Sequence, residues 1–219
     1  MGAGAFTREV TEFGRVRIFS GDVDAATCES LLSCTRLAWD IETNGLEPKR
    51  NLIGTCQLYS PGLGPILVVG VADERPPHLS RVLADADVLK IFHHAPFDLS
   101  FMAHQWGVSP KNIGCTKIAA KLLRPSAPAM HHSLQYLMKN HFGITLEKGV
   151  RFTDWVSNDL TSEQVHYAVG DVAKLLDLYD LLLSRLQSNE LLDLYDQCRN
   201  FLPTHVTLRL HGCPDPFHY

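Results

Sequence analysis

Long apolar runs, paired-cysteine motifs and a surplus of positive charge are all missing from this sequence, and each absence removes a class of protein. No stretch reaches the roughly 18 consecutive apolar residues that a membrane helix requires. The N-terminus has no basic start followed by an apolar core and a cleavage site. A cytoplasmic protein without membrane association is expected. The six cysteines at 28, 34, 56, 115, 198 and 213 lack C-x-x-C spacing, which argues against a zinc or disulfide framework and for reduced thiols. The formal charge of −4 argues against a protein that coats long nucleic acid, since such proteins carry a broad basic surface.

What is present is an ordinary globular composition, 45% hydrophobic and 20% charged over 219 residues, enough for a single domain spanning 1–219 with one sizeable core. The charge is uneven. Between Lys111 and Arg151 there are seven Lys or Arg and one acid, Glu147, so a local basic patch stands beside an otherwise acidic chain. Apolar or alternating runs at 14–20, 36–42, 52–59, 65–70 and 88–93 sit between Gly, Pro and Asn and predict strands. Helical periodicity appears at 24–33, 78–85, 97–106, 115–123 and 133–141, then strongly over 162–188. A strand-rich first half and a helical second half suit an α/β fold with a central mixed sheet flanked by helices. The stretch 124–132 (RPSAPAMHH) is expected as a mobile loop. Residues 201–219 read as a Pro-interrupted tail, apolar enough to pack on the body or on another subunit.

Four carboxylates stand out by their setting. Asp40 and Glu42 end the run Leu37-Ala38-Trp39-Asp40-Ile41-Glu42, and a two-residue period puts them on one face of a strand. Like charges there need cations to neutralise them, and hard divalent ions such as Mg²⁺ or Mn²⁺ accept such oxygen ligands. Asp98, in His94-Ala95-Pro96-Phe97-Asp98, falls in the first turn of a helix, where a carboxylate is favoured. Thr161-Ser162-Glu163-Gln164 is a capping box that starts a helix carrying Tyr167 and Asp171 one turn apart. Taken singly, each of these is more often structural than functional.

In this order, D-x-E, then Thr43-Asn44-Gly45-Leu46, then His94-x-x-Phe97-Asp98, then Tyr167-x-x-x-Asp171, the motifs resemble the DEDD 3′→5′ exonuclease superfamily. The likeness is to its ribonuclease D-like branch, and within that to the nanoRNase C group. Cys115-Thr116-Lys117-Ile118-Ala119, Asp154-Trp155 and Phe201-Leu202-Pro203-Thr204 add to it. The resemblance implies a ribonuclease H-like exonuclease fold and two divalent cations, Mg²⁺ or Mn²⁺. It further implies that Asp40 bridges both ions, Glu42 and Asp171 complete the first site, and Asp98 holds the second. The expected product is a nucleoside 5′-monophosphate cut from short RNA, dinucleotides above all. The implied assembly is a closed ring of subunits, an octamer. Two other readings stay open: an exonuclease acting on longer RNA or DNA ends, and a catalytically silent nucleic-acid-binding domain. Whether RNA or DNA is preferred is not legible, because the sequence does not say whether a 2′-hydroxyl is read.

The superfamily divides by the residue that orients the attacking water, a Tyr four before the last Asp or a His five before it. Both are present, as His166 and Tyr167. On a helix capped at Thr161, Tyr167 lies roughly 40° around the axis from Asp171 and His166 about 140°, so Tyr167 is the expected catalytic group. For substrate binding, the resemblance implies that Leu46, at the Asn44-Gly45 turn, wedges between two bases. Lys117, Lys121 and Arg124 share a helix face and, with His132 in the following loop, are candidates for a 5′-phosphate site.

Overall fold

The computed structural model describes residues 6–10, 13–72, 75–146, 149–150, 153–157 and 159–217. Glu147, Lys148 and Arg151 of the basic segment, and Tyr219 of the tail, lie outside the described residues.

Seven strands form one mixed sheet: β1 (Phe6–Val10), β2 (Gly14–Ser20), β3 (Arg36–Thr43), β4 (Ile53–Ser60), β5 (Gly64–Val69), β6 (Leu89–Phe92) and β7 (Ile113–Cys115). Their order is β1-β2-β5-β4-β3-β6-β7. The strand β3 is central, antiparallel to β4 and parallel to β6. Alternation sorts its side chains between two layers. Trp39 and Ile41 enter a core with helices α1 (Ala25–Leu32), α2 (Pro77–Ala84) and α3 (Ala95–Trp106). Ala38 points the other way, into a core with α4 (Thr116–Leu123), α5 (Leu134–Phe142) and α7 (Leu175–Ser188). A third cluster joins Leu67 and Val69 of β5 to Trp155 and to α6 (Ser162–Ala173). The face that carries Ala38 also carries Asp40 and Glu42. No helix among the described residues is long and apolar enough to cross a membrane.

Four elements depart from the sequence reading, the first being β1, which was not expected. The strand β7 is only three residues long and leaves no readable alternation. The periodic stretch 162–188 is two helices, broken at Lys174, whose backbone leaves the helical region (φ −116°). The largest departure concerns the tail, which is not an irregular segment: helix α8 runs Leu192–Leu210 straight through Pro203. Proline lacks an N–H and disfavours a helix interior by about 3 kcal/mol. Burial offsets this, since Leu202 and Val206, one turn apart, are buried in the α1–α3 core. Tyr195 is buried too, and its hydroxyl accepts the Cys115 backbone N–H at 2.9 Å. Residues 201–210 therefore pack on the body.

Candidate active site

The strand β3 delivers the first two carboxylates to one end of the sheet. A bulge between Glu42 and Thr43 interrupts the ladder with β4 there and turns the chain into the Asn44-Gly45 loop. Asp40 pairs in register with Gln57 of β4, whose side-chain amide donates to Asp40 Oδ2 at 2.6 Å. Thr55 Oγ in turn donates to Gln57 Oε1 at 3.1 Å. Both Thr55 and Gln57 are fully buried, so this hydrogen-bonded pair fixes one oxygen of Asp40 and leaves the other to face outward. Gln57 was not singled out in the sequence. Its signal was a Gln within the otherwise apolar run 52–59, opposite a carboxylate.

The third carboxylate comes from the opposite helical layer. After β6 the chain reverses at His94, which takes a left-handed conformation (φ 67°) before α3 begins with Pro96 in its first turn. That conformation is strained for a non-glycine residue. It sets Asp98 at the helix start with only 2% of its surface exposed. Asp98 Oδ1 has no hydrogen-bond partner among the described residues, an orphaned carboxylate oxygen of the kind that a cation satisfies.

Helix α6 supplies Asp171. The capping box forms as its sequence predicts: Gln164 N–H donates to Thr161 Oγ at 3.2 Å and Thr161 N–H donates to Gln164 Oε1 at 2.9 Å. Gln164 does more, because its amide also donates to Thr153 Oγ at 3.0 Å and to the Asp154 carbonyl at 2.9 Å. The helix start is thereby tied to the 153–157 loop. Trp155 of that loop is fully buried and packs against Tyr167, ring centroids 5.8 Å apart. Its carbonyl lies so close to Gly54 of β4 that a Cβ there would stand 2.0 Å from the oxygen. Helix phase and this packing put Tyr167 beside Asp171, whereas His166 packs on Phe13, centroids 5.0 Å apart.

Asp40, Glu42 and Asp171 each bring an oxygen within 4.8 Å of the others. Asp98 belongs electrostatically to the same group. Desolvation first, then repulsion from Asp40 and more weakly from Asp171, raises its pKa well above the carboxylate range. Desolvation raises that of Asp40 also, although the Gln57 hydrogen bond opposes the shift. Three carboxylates this close, with Asp98 repelled by two of them, are what a hard divalent cation relieves. The all-oxygen donor set suits Mg²⁺ or Mn²⁺.

The substrate candidates divide. Leu46 is 74% exposed on a braced turn: Thr43 Oγ donates to the Gly45 carbonyl at 2.6 Å, and Asn44 Oδ1 accepts the Leu52 N–H at 2.7 Å. Lys117 is half-buried on α4, while Lys121 and Arg124 are exposed. His132 does not join them. It is 4% exposed, with Nε2 against the Arg124 carbonyl at 3.0 Å, so it holds the 124–132 loop in place. Part of that loop, Ala129–His132, is a 3-10 turn. One cation that the sequence did not suggest, Arg209, comes from α8. His94 has its pKa lowered to about 4 by desolvation and then by Lys117, Arg209, Lys121 and His205, so a neutral imidazole lies within reach of the charges of Lys117, Lys121 and Arg209.

A sequence profile described as 3′-5′ exonuclease matches residues 18–187. The chain belongs to this 3′-5′ exonuclease family. Among relatives, a ribonuclease D of Sphingobium indicum is 33% identical over 123 residues, 55% of this chain and 30% of that protein. The chain thus spans under a third of that relative's length. Among solved structures, Brucella melitensis NrnC with bound Mg²⁺ is 30% identical, with 93% of this chain and 98% of that chain covered at a TM-score of 0.83. The same protein bound to pGG superimposes equally, at 31% identity and a TM-score of 0.83, with the same coverage. These neighbours, and Escherichia coli ribonuclease D at 25% identity and a TM-score of 0.73 over 83% of this chain and 48% of that one, share the ribonuclease H-like exonuclease fold. The family match thus covers strands β3 to β7, the end of β2 and helices α1 to α7, while β1 and α8 lie beyond the matched segment.

Proposed function

We propose that the protein is a cytoplasmic two-metal-ion 3′→5′ exoribonuclease that releases nucleoside 5′-monophosphates from short oligoribonucleotides, with dinucleotides among its best substrates. The observation that carries this reading is the convergence of Asp40, Glu42 and Asp171, oxygens within 4.8 Å, with buried Asp98, whose Oδ1 has no partner among the described residues, in a member of the 3′-5′ exonuclease family. Two divalent cations held there would supply Lewis acidity for an in-line displacement at the phosphodiester. The chain's own residues do the rest. Asp40, held by Gln57, would be a ligand common to both ions, with Glu42 and Asp171 as further ligands to one and Asp98 to the other. The Tyr167 hydroxyl orients the attacking water, and the Trp155 contact keeps that ring in place. The 3′ end lies across the site with Leu46 between its last two bases, and Lys117, Lys121 and Arg124 hold phosphate on the 5′ side.

Preference for short RNA is supported by the similarity to Brucella NrnC, whose structure has been solved with pGG, and by the net charge of −4. A second reading, cleavage of longer RNA or DNA ends, draws on the breadth of the positive face from Lys117 to Arg209 and on the apolar loop Pro125–Met130, where Met130 is 70% exposed. The assembly is proposed as a homo-oligomeric ring, an octamer.

Incubation with 5′-labelled RNA and DNA of two to twenty nucleotides, in Mg²⁺ or Mn²⁺, tests the proposal. A ladder shrinking from the 3′ end and fastest turnover on 5′-phosphorylated dinucleotides are expected. Rates on dinucleotides no higher than on heptanucleotides would move the assignment to the longer substrate. An Asp40→Ala protein that folds and keeps more than about a tenth of the activity would end the two-metal reading.

A further inference from the structure

Asp98 follows a corner that holds a strained residue. The chain leaves β6 at Phe92 and reverses through His94, whose φ of 67° lies in the left-handed region. A residue with a Cβ persists there only where its surroundings over-determine it. Beyond the turn the Phe97 N–H donates to the His94 carbonyl at 2.9 Å, and Asp98 comes next. Before the turn the bracing comes from another element, the start of α4.

Thr116, the first residue of α4, is fully buried. Its hydroxyl donates to the Phe92 carbonyl at 3.3 Å and stands 2.9 Å from His93 Nδ1. Both bonds form at once only if Nδ1 carries the ring proton, because the hydroxyl has one hydrogen and gives it to Phe92. The ring is neutral, its pKa lowered to about 3 by desolvation and then by Lys117 and His94. Cys115 adds a second tie. Burial raises the pKa of its thiol against the pull of N–H groups on two sides, Ile118 and Lys117 of α4 and Ala95 and His94 of the corner, so one sulfur faces the start of both helices. Packing alone does not require a hydroxyl at position 116, and a buried hydroxyl is costly unless it is bonded. Here both of its bonds go to the two residues immediately before His94.

We propose that Thr116 and His93 are positioning residues for Asp98: the hydroxyl and the ring fix the corner after β6, and the corner aims the carboxylate at its cation. The proposal rests on the exonuclease reading above, which makes Asp98 a metal ligand, and adds to it the residues that set that ligand. Outer partners of a metal site tune affinity by about 10–100-fold. Thr116 acts through the backbone rather than on the carboxylate, so the lower end of that range applies.

The test measures Mg²⁺ binding to the full chain by calorimetry, without substrate. Asp98→Asn defines the part of the binding curve that depends on Asp98. Thr116→Val, which removes the hydroxyl, should raise the Mg²⁺ concentration that half-fills this part by about tenfold, and Thr116→Ala takes its place if Thr116→Val does not fold. Thr116→Ser, which keeps the hydroxyl, should bind Mg²⁺ as the parent does. On an Asp98→Asn background Thr116→Val should change Mg²⁺ binding no further, because residues that act through one ligand are not additive. A Thr116→Val protein that melts lower but binds Mg²⁺ like the parent would show a merely structural hydroxyl and overturn the proposal. Equal weakening with and without the Asp98 carboxylate would overturn it too. A parent protein whose Mg²⁺ binding is untouched by Asp98→Asn would instead remove Asp98 from the metal site, a failure of the underlying reading that is distinct from both.

Discussion

Tyr167 and His166 are adjacent in sequence and meet different neighbours, the first Trp155 and Asp171, the second Phe13. Replacing Tyr167 with Phe removes only a hydroxyl, so turnover is expected to fall by about 10²-fold or more, while Mg²⁺ and substrate binding stay within a few-fold of the parent. His166→Ala should leave kcat nearly intact. Single-turnover rates that rank the two variants the other way would reassign the water-orienting role. Asp98 makes a second prediction through its electrostatics. Desolvation and the Asp40 charge raise its pKa in the fold, so between the ordinary carboxylate range and that raised value the folded state holds a proton that the unfolded chain has lost. This contribution is therefore lost as pH rises through that window. Asp98→Asn should remove this slope and stabilise the metal-free protein at neutral pH, each kcal/mol raising Tm by about 2–4 °C in a chain of this size. Mg²⁺ should stabilise the parent by mass action and Asp98→Asn much less. Thermal scans at several pH values, with and without Mg²⁺, would expose the error if the variant melts lower than the parent without metal or gains as much from Mg²⁺.

Among the elements, the ones legible in the sequence were those whose signals are local. The alternation in Leu37–Glu42 and the Thr161–Gln164 spacing announced β3 and α6, and both form with their functional residues where the spacing places them. Gln57 and Gly54 were not legible as parts of the site, and Trp155 was legible only as part of a motif, because their roles arise from cross-strand register and from a loop folding back on β4, neither of which leaves a periodic trace. Helix α8 was obscured for the opposite reason. Pro203 is a strong local signal against helix, and only the burial of Leu202 and Val206 overrides it. Thr161→Ala tests whether the cap serves stability alone. Loss of the capping hydrogen bond should lower stability by about 0.5–2 kcal/mol, and because the same turn anchors the 153–157 loop against Tyr167, kcat should drop several-fold at a temperature where the variant is fully folded. A urea midpoint that moves while kcat does not would confine the cap to stability.

For the molecule as a whole, β3 and the start of α3 bring Asp40 and Asp98 within electrostatic reach of one another, and α8 packs on the α1–α3 core. The C-terminal segment leaves Phe217 84% exposed and Leu194 and Phe201 exposed as well, so the proposed ring has apolar surface to bury. Sedimentation at micromolar concentration should give a single species several times the 24.4 kDa chain, and a monomer there would remove the ring. The carbonyl of Trp155 occupies the place where any other residue at position 54 would carry its Cβ, 2.0 Å from that oxygen. Gly54 and the 153–157 loop can therefore change only in concert. In a library of single substitutions, position 54 should be as intolerant as the acids themselves, although it has no group able to touch a metal or a phosphate, and its revertants should map to the loop on the far side of the contact.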